Sequence, residues 1–103
     1  MLEELWVPVE GFPNYVISNY GRIVNINTDK ELNPYHRDNG YTQIGLYNDG
    51  QREFFYLHRL VAQAFFLAYS EEYNVTLING IYSDCTVANI SIDVQHRRRG
   101  PNG

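Results

Sequence analysis

Apolar and polar residues alternate along the first half of the chain, then switch to helical spacing in its middle. Tyr15, Val16 and Ile17 are aromatic or β-branched and suit a pleated, half-buried surface. Asn19-Tyr20-Gly21 is turn chemistry, and the alternation resumes over residues 22–26, with Ile23 and Asn25 on one side and Val24 and Ile26 on the other. Upstream, Pro8 biases Val7 towards extended backbone, and Trp6 is expected to plug the core of this first hairpin unit. Residues 27–30 form a turn cluster, followed by a short strand or loop over residues 31–34. Residues 41–47 alternate again, Asn48-Asp49-Gly50-Gln51 predicts a hairpin of the Asp-Gly class, and residues 52–57 return as its second strand. In residues 58–69 the apolar positions Leu60, Val61, Ala64, Phe65 and Ala68 share one helical face, which predicts a helix over that span.

Composition narrows the classes. At 103 residues and 44% hydrophobic the chain suits one domain with an ordinary core. Nine tyrosines suit sheet surfaces and interfaces alike. Eight Lys plus Arg against twelve Asp plus Glu give a net charge of −4, and Lys30 is the single lysine. A protein that grips duplex DNA through its phosphates normally carries a basic face, so this balance weighs against a dedicated non-specific DNA binder. A lone cysteine, Cys85, excludes an internal disulfide and a cysteine zinc cluster and is expected to be a buried thiol. No run is long and apolar enough to span a membrane, and the acidic start lacks signal-peptide character. The expectation is a soluble, cytoplasmic protein without a membrane partner.

Trp6, Gly11-Phe12, Tyr15-Val16, Ser18-Asn19 and Gly21-Arg22-Ile23 together resemble the W…GF..Y.VSN.GR motif of phage and intron-encoded HNH homing endonucleases. Residues 41–66, a hairpin followed by His58-Arg59-Leu60-Val61-Ala62, are similar to the segment that precedes the catalytic hairpin in that family. The resemblance implies a β-rich DNA-contacting module joined to a ββα-metal nuclease unit. With it, the fold class is expected to be α+β: a β-rich module over residues 1–57, then one helix and a degenerate HNH-like hairpin over residues 58–95. The last family helix is expected to be truncated or absent, and residues 96–103 to form a basic, flexible tail.

The family's nuclease segment resembles V-(D/N)-H-I-D-G-N-x-x-N-N-x-x-x-N-L, with a histidine base and a divalent metal held by a strand Asp or Asn and a later Asn or His. Aligned on Gly80, this chain keeps Val75, Ile78, Gly80, Asn89 and Ile90. The chemical positions differ: Leu77 stands at the base, Thr76 at the adjacent ligand, Asn79 two residues on, Asp84-Cys85 at the tandem Asn pair, and Arg98 near the last ligand. Leucine cannot accept a proton, and threonine is a poor ligand for a hard cation. No catalytic residue, metal ligand or cofactor is therefore expected, and the chain is not expected to be an enzyme. His58 and His96, with Asp84 or Asp93, are the groups that could rescue such a site; a helix-start histidine and a solvated tail histidine are the plainer readings. Glu71-Glu72 reads as a solvated face.

Polar and aromatic groups that could meet nucleic acid or a partner are Asn19, Arg22, Tyr35, His36, Arg37 and Gln43, with Arg97, Arg98 and Arg99 in the tail. Arg22 reads equally as a structural arginine holding the turn carbonyls of residues 18–21. The main functional expectation is an inactive HNH-like phage protein repurposed as an inhibitor of a host or defence protein, such as a CRISPR effector or a restriction enzyme. The alternative is a DNA-binding remnant acting as regulator or competitor, and a third reading is a residual metal-dependent nicking enzyme. Monomer and homodimer both remain open.

Overall fold

A computed structural model describes residues 3–67, 69–70 and 72–93. Among them, nine strands form three small antiparallel sheets around one helix, the α+β class expected. The first sheet has the order β1 (Trp6–Val9), β2 (Phe12–Ser18), β3 (Ile23–Asn25), β4 (Lys30–Glu31). Its inward positions are Val9, Tyr15, Ile17 and Ile23, the alternation that the period-two pattern demands. Trp6 does not plug this core. Val7 pairs with Ile17 and takes the inward side of the edge strand β1, so Trp6 turns outward, 37% exposed, with its ring under the Arg22 guanidinium at 5.3 Å.

The second sheet has the order β5 (Tyr35–His36), β6 (Thr42–Asn48), β7 (Gln51–Tyr56). Asp49 and Gly50 both take positive φ, 54° and 80°, so the two-residue turn has the primed geometry that matches strand twist. This turn sets the register: Asn48 opposite Gln51, Tyr47 opposite Arg52, Gly45 opposite Phe54. Thr42, Ile44 and Leu46 face the core.

The helix α1 (Leu57–Phe65) follows β7 with no intervening loop. It is shorter than the 58–69 span expected. Phe66 is already extended, and Arg59 binds the Tyr69 hydroxyl (3.1 Å) and the Tyr73 carbonyl (3.2 Å), which folds the connector back along the helix. Ala68 lies outside the described residues. The third sheet is the hairpin β8 (Asn74–Leu77) and β9 (Ile90–Asp93), with a single 3-10 turn at Val87–Asn89 before β9. α1 packs on strands of all three sheets, so Leu57, Leu60, Val61 and Ala62 sit at the centre of one core shared with Ile44, Leu46, Leu77 and Ile90. No helix of the described residues is long and apolar enough to cross a membrane.

Candidate nucleic-acid interface

Strand alternation brings Gln43, Gly45 and Tyr47 of β6 to the same outward face as Arg52, Phe54 and Tyr56 of β7, with Tyr35 beside Gln43 on β5. On this face the Arg52 guanidinium lies 4.6 Å from the Phe54 ring, 5.3 Å from Tyr35 and 5.8 Å from Tyr47. Arg37 lies 5.4 Å from Tyr35 and 5.3 Å from Phe54, and its Nε donates to Gln43 at 2.7 Å. Two guanidiniums therefore bracket a T-shaped Tyr35–Phe54 pair. Cation–π contact holds the arginines flat and leaves their outer N–H groups to solvent. Arg52 also donates to the Tyr35 hydroxyl, the main cause that raises its pKa further. Neither Arg37 nor Arg52 forms an ion pair with a carboxylate among the described residues.

Gly45 makes this arrangement possible. A Cβ there would stand 2.5 Å from Arg52 Nε and 3.1 Å from the Phe54 ring. Its missing side chain is the slot in which Arg52 lies.

The expected site residues divide in two. Tyr35, Arg37 and Gln43 come together on this face. His36, their neighbour, points the other way towards the buried Thr42 hydroxyl at 3.2 Å. Asn19 is only 9% exposed, and its amide is spent on bracing: it accepts from the Leu5 N–H at 2.7 Å and donates to the Glu3 carbonyl at 3.1 Å. Arg22 does not hold the turn carbonyls. The Ser18 hydroxyl and backbone close that turn, while the Arg22 guanidinium pairs with Glu4 at 3.3 Å and Glu31 at 3.6 Å. Arg97, Arg98, Arg99 and His96 lie outside the described residues. Tyr47, Arg52 and Phe54 were missed, although the Asp-Gly turn fixes which residues of β7 oppose those of β6.

The hairpin where the resemblance places catalysis is arranged differently. Leu77 is 6% exposed and belongs to the core, and Thr76 points outward from β8. Asn79 donates its amide to Asp84 at 3.0 Å and accepts from Ile81 N–H and from the Asn89 amide. Asn89 also donates to the Asp84 carbonyl at 2.8 Å and accepts from Asn79 N–H at 2.9 Å. The Thr86 hydroxyl donates to the Asp84 carboxylate and is the main cause holding its pKa below the usual carboxylate range. Cys85 is buried, which pushes its thiol up to about 11, beyond reach of reactivity at neutral pH. The described residues contain no group of three or more His, Cys, Asp or Glu placed to hold a metal.

His58 sits inside the molecule rather than at a site. It is 4% exposed, stacks on Tyr41 at 5.0 Å, and its Nδ1 has no hydrogen-bond partner among the described residues. Burial, helped by Arg59, lowers its pKa to about 4, so it is neutral at physiological pH. Tyr82 continues the stack over Tyr41 at 4.4 Å.

Comparison with known proteins agrees with this architecture. A NUMOD4 motif matches residues 4–47. An uncharacterized HNH endonuclease of Acanthamoeba polyphaga mimivirus is 40% identical over 86 residues, covering 79% of this chain and 21% of its own length. The DNA endonuclease I-HmuI of Bacillus phage SP01 is 36% identical over 67 residues, covering 64% of this chain and 38% of its own. The solved structure of the HNH homing endonuclease I-HmuI, described for DNA binding and cleavage, superposes with a TM-score of 0.82 at 30% identity, over 87% of this chain and 52% of that one. The chain thus spans well under half the length of both curated relatives.

Proposed function

Because the chain belongs with the phage-type HNH homing endonucleases, we propose that it binds DNA without cutting it. The observation that carries the binding is the outward face of β5–β7, where Arg37 and Arg52 present guanidiniums that no carboxylate among the described residues neutralises. A net charge of −4 does not exclude this, since phosphates meet the local face and not the average. The kinship with DNA endonucleases supports DNA as the partner. It lends no support to a host or defence protein, the main expectation, which rested on the phage-like resemblance.

The loss of cutting is carried by Leu77. Its side chain is packed in the core and can take no proton from a water. Thr76 offers a hydroxyl where a hard cation wants a carboxylate, and the Asp84 carboxylate is spent on Thr86 and Asn79. This donor set does not fit the family's divalent ion. A bound but uncut site would make the protein a competitor or a regulator at that DNA.

The test is a titration of labelled duplex DNA at several salt concentrations, with plasmid nicking assayed in parallel with Mg²⁺. Expected are binding that weakens steeply with salt and no nicked plasmid. Arg52→Ala should lower the slope of log affinity against log salt by about one. Binding that ignores salt would remove the phosphate-binding face, and Mg²⁺-dependent nicking would remove the claim that cutting is lost.

A further inference from the structure

Between the first sheet and the β5–β7 sheet runs an open groove of about 380 Å³, large enough for one nucleotide. Tyr35 and Tyr47 stand at its rim, 41% and 52% exposed. Lys30 and Arg52 supply positive charge from its two sides, and Asn25 and Asn33 add amides. Gly45 forms part of its wall, where the Arg52 side chain lies over the β6 backbone. Glu31, the acidic group there, is drawn towards Arg22 by their ion pair.

Two features of this groove have no use on a duplex. Inside a double helix the faces of the bases are covered by their neighbours, so a tyrosine ring can meet only edges, sugars and phosphates. A concave slot between two sheets also admits a single residue of a chain more easily than a rigid cylinder. An aromatic rim with a cation on either side is instead the chemistry that binds unpaired nucleotides: a ring for the base, a guanidinium or ammonium for its phosphate.

Resting on the DNA-binding reading above, we infer that this groove takes an unpaired nucleotide, and that the preferred ligand is single-stranded or locally opened DNA. Tyr47 stacks on the base, and Lys30 and Arg52 meet the phosphate. Tyr35 is held by its hydrogen bond to Arg52 and serves as the fixed wall.

The test compares a fluorescein-labelled unstructured DNA strand of about 20 nucleotides with the same strand annealed to its complement. Affinity is read by anisotropy for the full chain. The single strand should bind about tenfold more tightly than the duplex, as one stacked base allows. Tyr47→Ala should bring that ratio close to one, and Tyr47→Phe should restore it, because a ring without its hydroxyl still stacks. Both variants keep the Tyr47 backbone N–H that donates to the Tyr15 hydroxyl, and a thermal melt confirms their folding. Equal or tighter binding of the duplex, with Tyr47→Ala silent, overturns the groove assignment and leaves DNA binding intact. Binding of neither probe overturns both.

Discussion

The outward face of β5–β7 and the loop between β8 and β9 are both polar surfaces, yet they spend their polar groups in opposite ways. On the first, Arg37 and Arg52 lean on rings, one amide and one hydroxyl, and keep their charge. In the second, Asn79, Asp84, Thr86 and Asn89 bond to one another, and the one partly buried carboxylate is matched by hydroxyl and amide donors. A surface that has satisfied itself offers little to a ligand, whereas guanidiniums held flat and unneutralised are ready for phosphate. The comparison separates two capacities that the family joins. Contact with DNA is proposed to stay on one face, and the hairpin that would cut is read as a brace.

The strongest way to break this contrast is to open the brace. Asn89 is 8% exposed and its side chain serves three partners. Asn89→Ala removes all three bonds, leaving the Asn79 N–H and the Asp84 carbonyl without this partner, and should cost about 3 kcal/mol of stability in urea denaturation. Arg52→Ala should leave the denaturation midpoint unchanged while weakening DNA binding. A neutral Asn89→Ala would mean that the loop does not brace the fold, and the two regions would no longer differ in kind.

Leu77→His comes next. It places the family's base at its family position but inside the apolar core, where the imidazole is taken out of water. The expected cost is about 2 kcal/mol, with no gain of Mg²⁺-dependent nicking. Nicking by this single variant would show that the site lacks only its base, and that Thr76 and Asp84 can still serve a metal.

Much of this contrast could be read in the sequence, and the part that could not has physical causes. The Asp49-Gly50 turn announces its own geometry, and that geometry fixes Tyr47 against Arg52 and Gly45 against Phe54. The proposed binding face was therefore within reach, but the candidates were chosen for polarity, and Phe54 and Gly45 shape it through a ring and through a missing side chain. Asn19 and Arg22 looked like readers because they are polar and near a turn. Their partners, Leu5, Glu3, Glu4 and Glu31, are distant in sequence, so only the fold reveals that they are braces. Asn79 and Asp84 are more instructive. The family pattern has Asp and Asn at these positions, and this chain has the two exchanged; here they meet at 3.0 Å as donor and acceptor. Position by position the exchange reads as loss of chemistry, while in space the two side chains are a hydrogen-bonded pair. The length of α1 was overestimated because Ala68 continues the helical spacing of Ala64 and Phe65, whereas Phe66 is already extended and Arg59 ties down the connector after it.

A milder perturbation acts at the seam between the two regions, where Tyr82 of the loop stacks on Tyr41, and Tyr41 on His58. His58 has a folded pKa of about 4 against 6.5 when free, so the unfolded chain takes up the proton first as pH falls. Stability from its neutral form is complete above pH 6.5 and is lost progressively towards pH 4. Thermal melts should show this slope in the wild type and a flatter one in His58→Phe over the same interval. Equal slopes would mean that the burial of His58 is not the source of the acid sensitivity.

The smallest effect should come from Arg22, and it tests the contrast most finely, because Arg22 is a half-exposed arginine beside an aromatic ring, as Arg52 is. What differs is that Glu4 and Glu31 already balance its charge. Arg22→Ala should cost only about 0.5 kcal/mol, the usual worth of solvent-exposed pairs. Its effect on DNA affinity should be well below that of Arg52→Ala, since a phosphate would have to displace two carboxylates to reach it. A loss equal to that of Arg52→Ala would mean that these ion pairs open on binding, and the interface would then extend from β5–β7 across the edge of the first sheet.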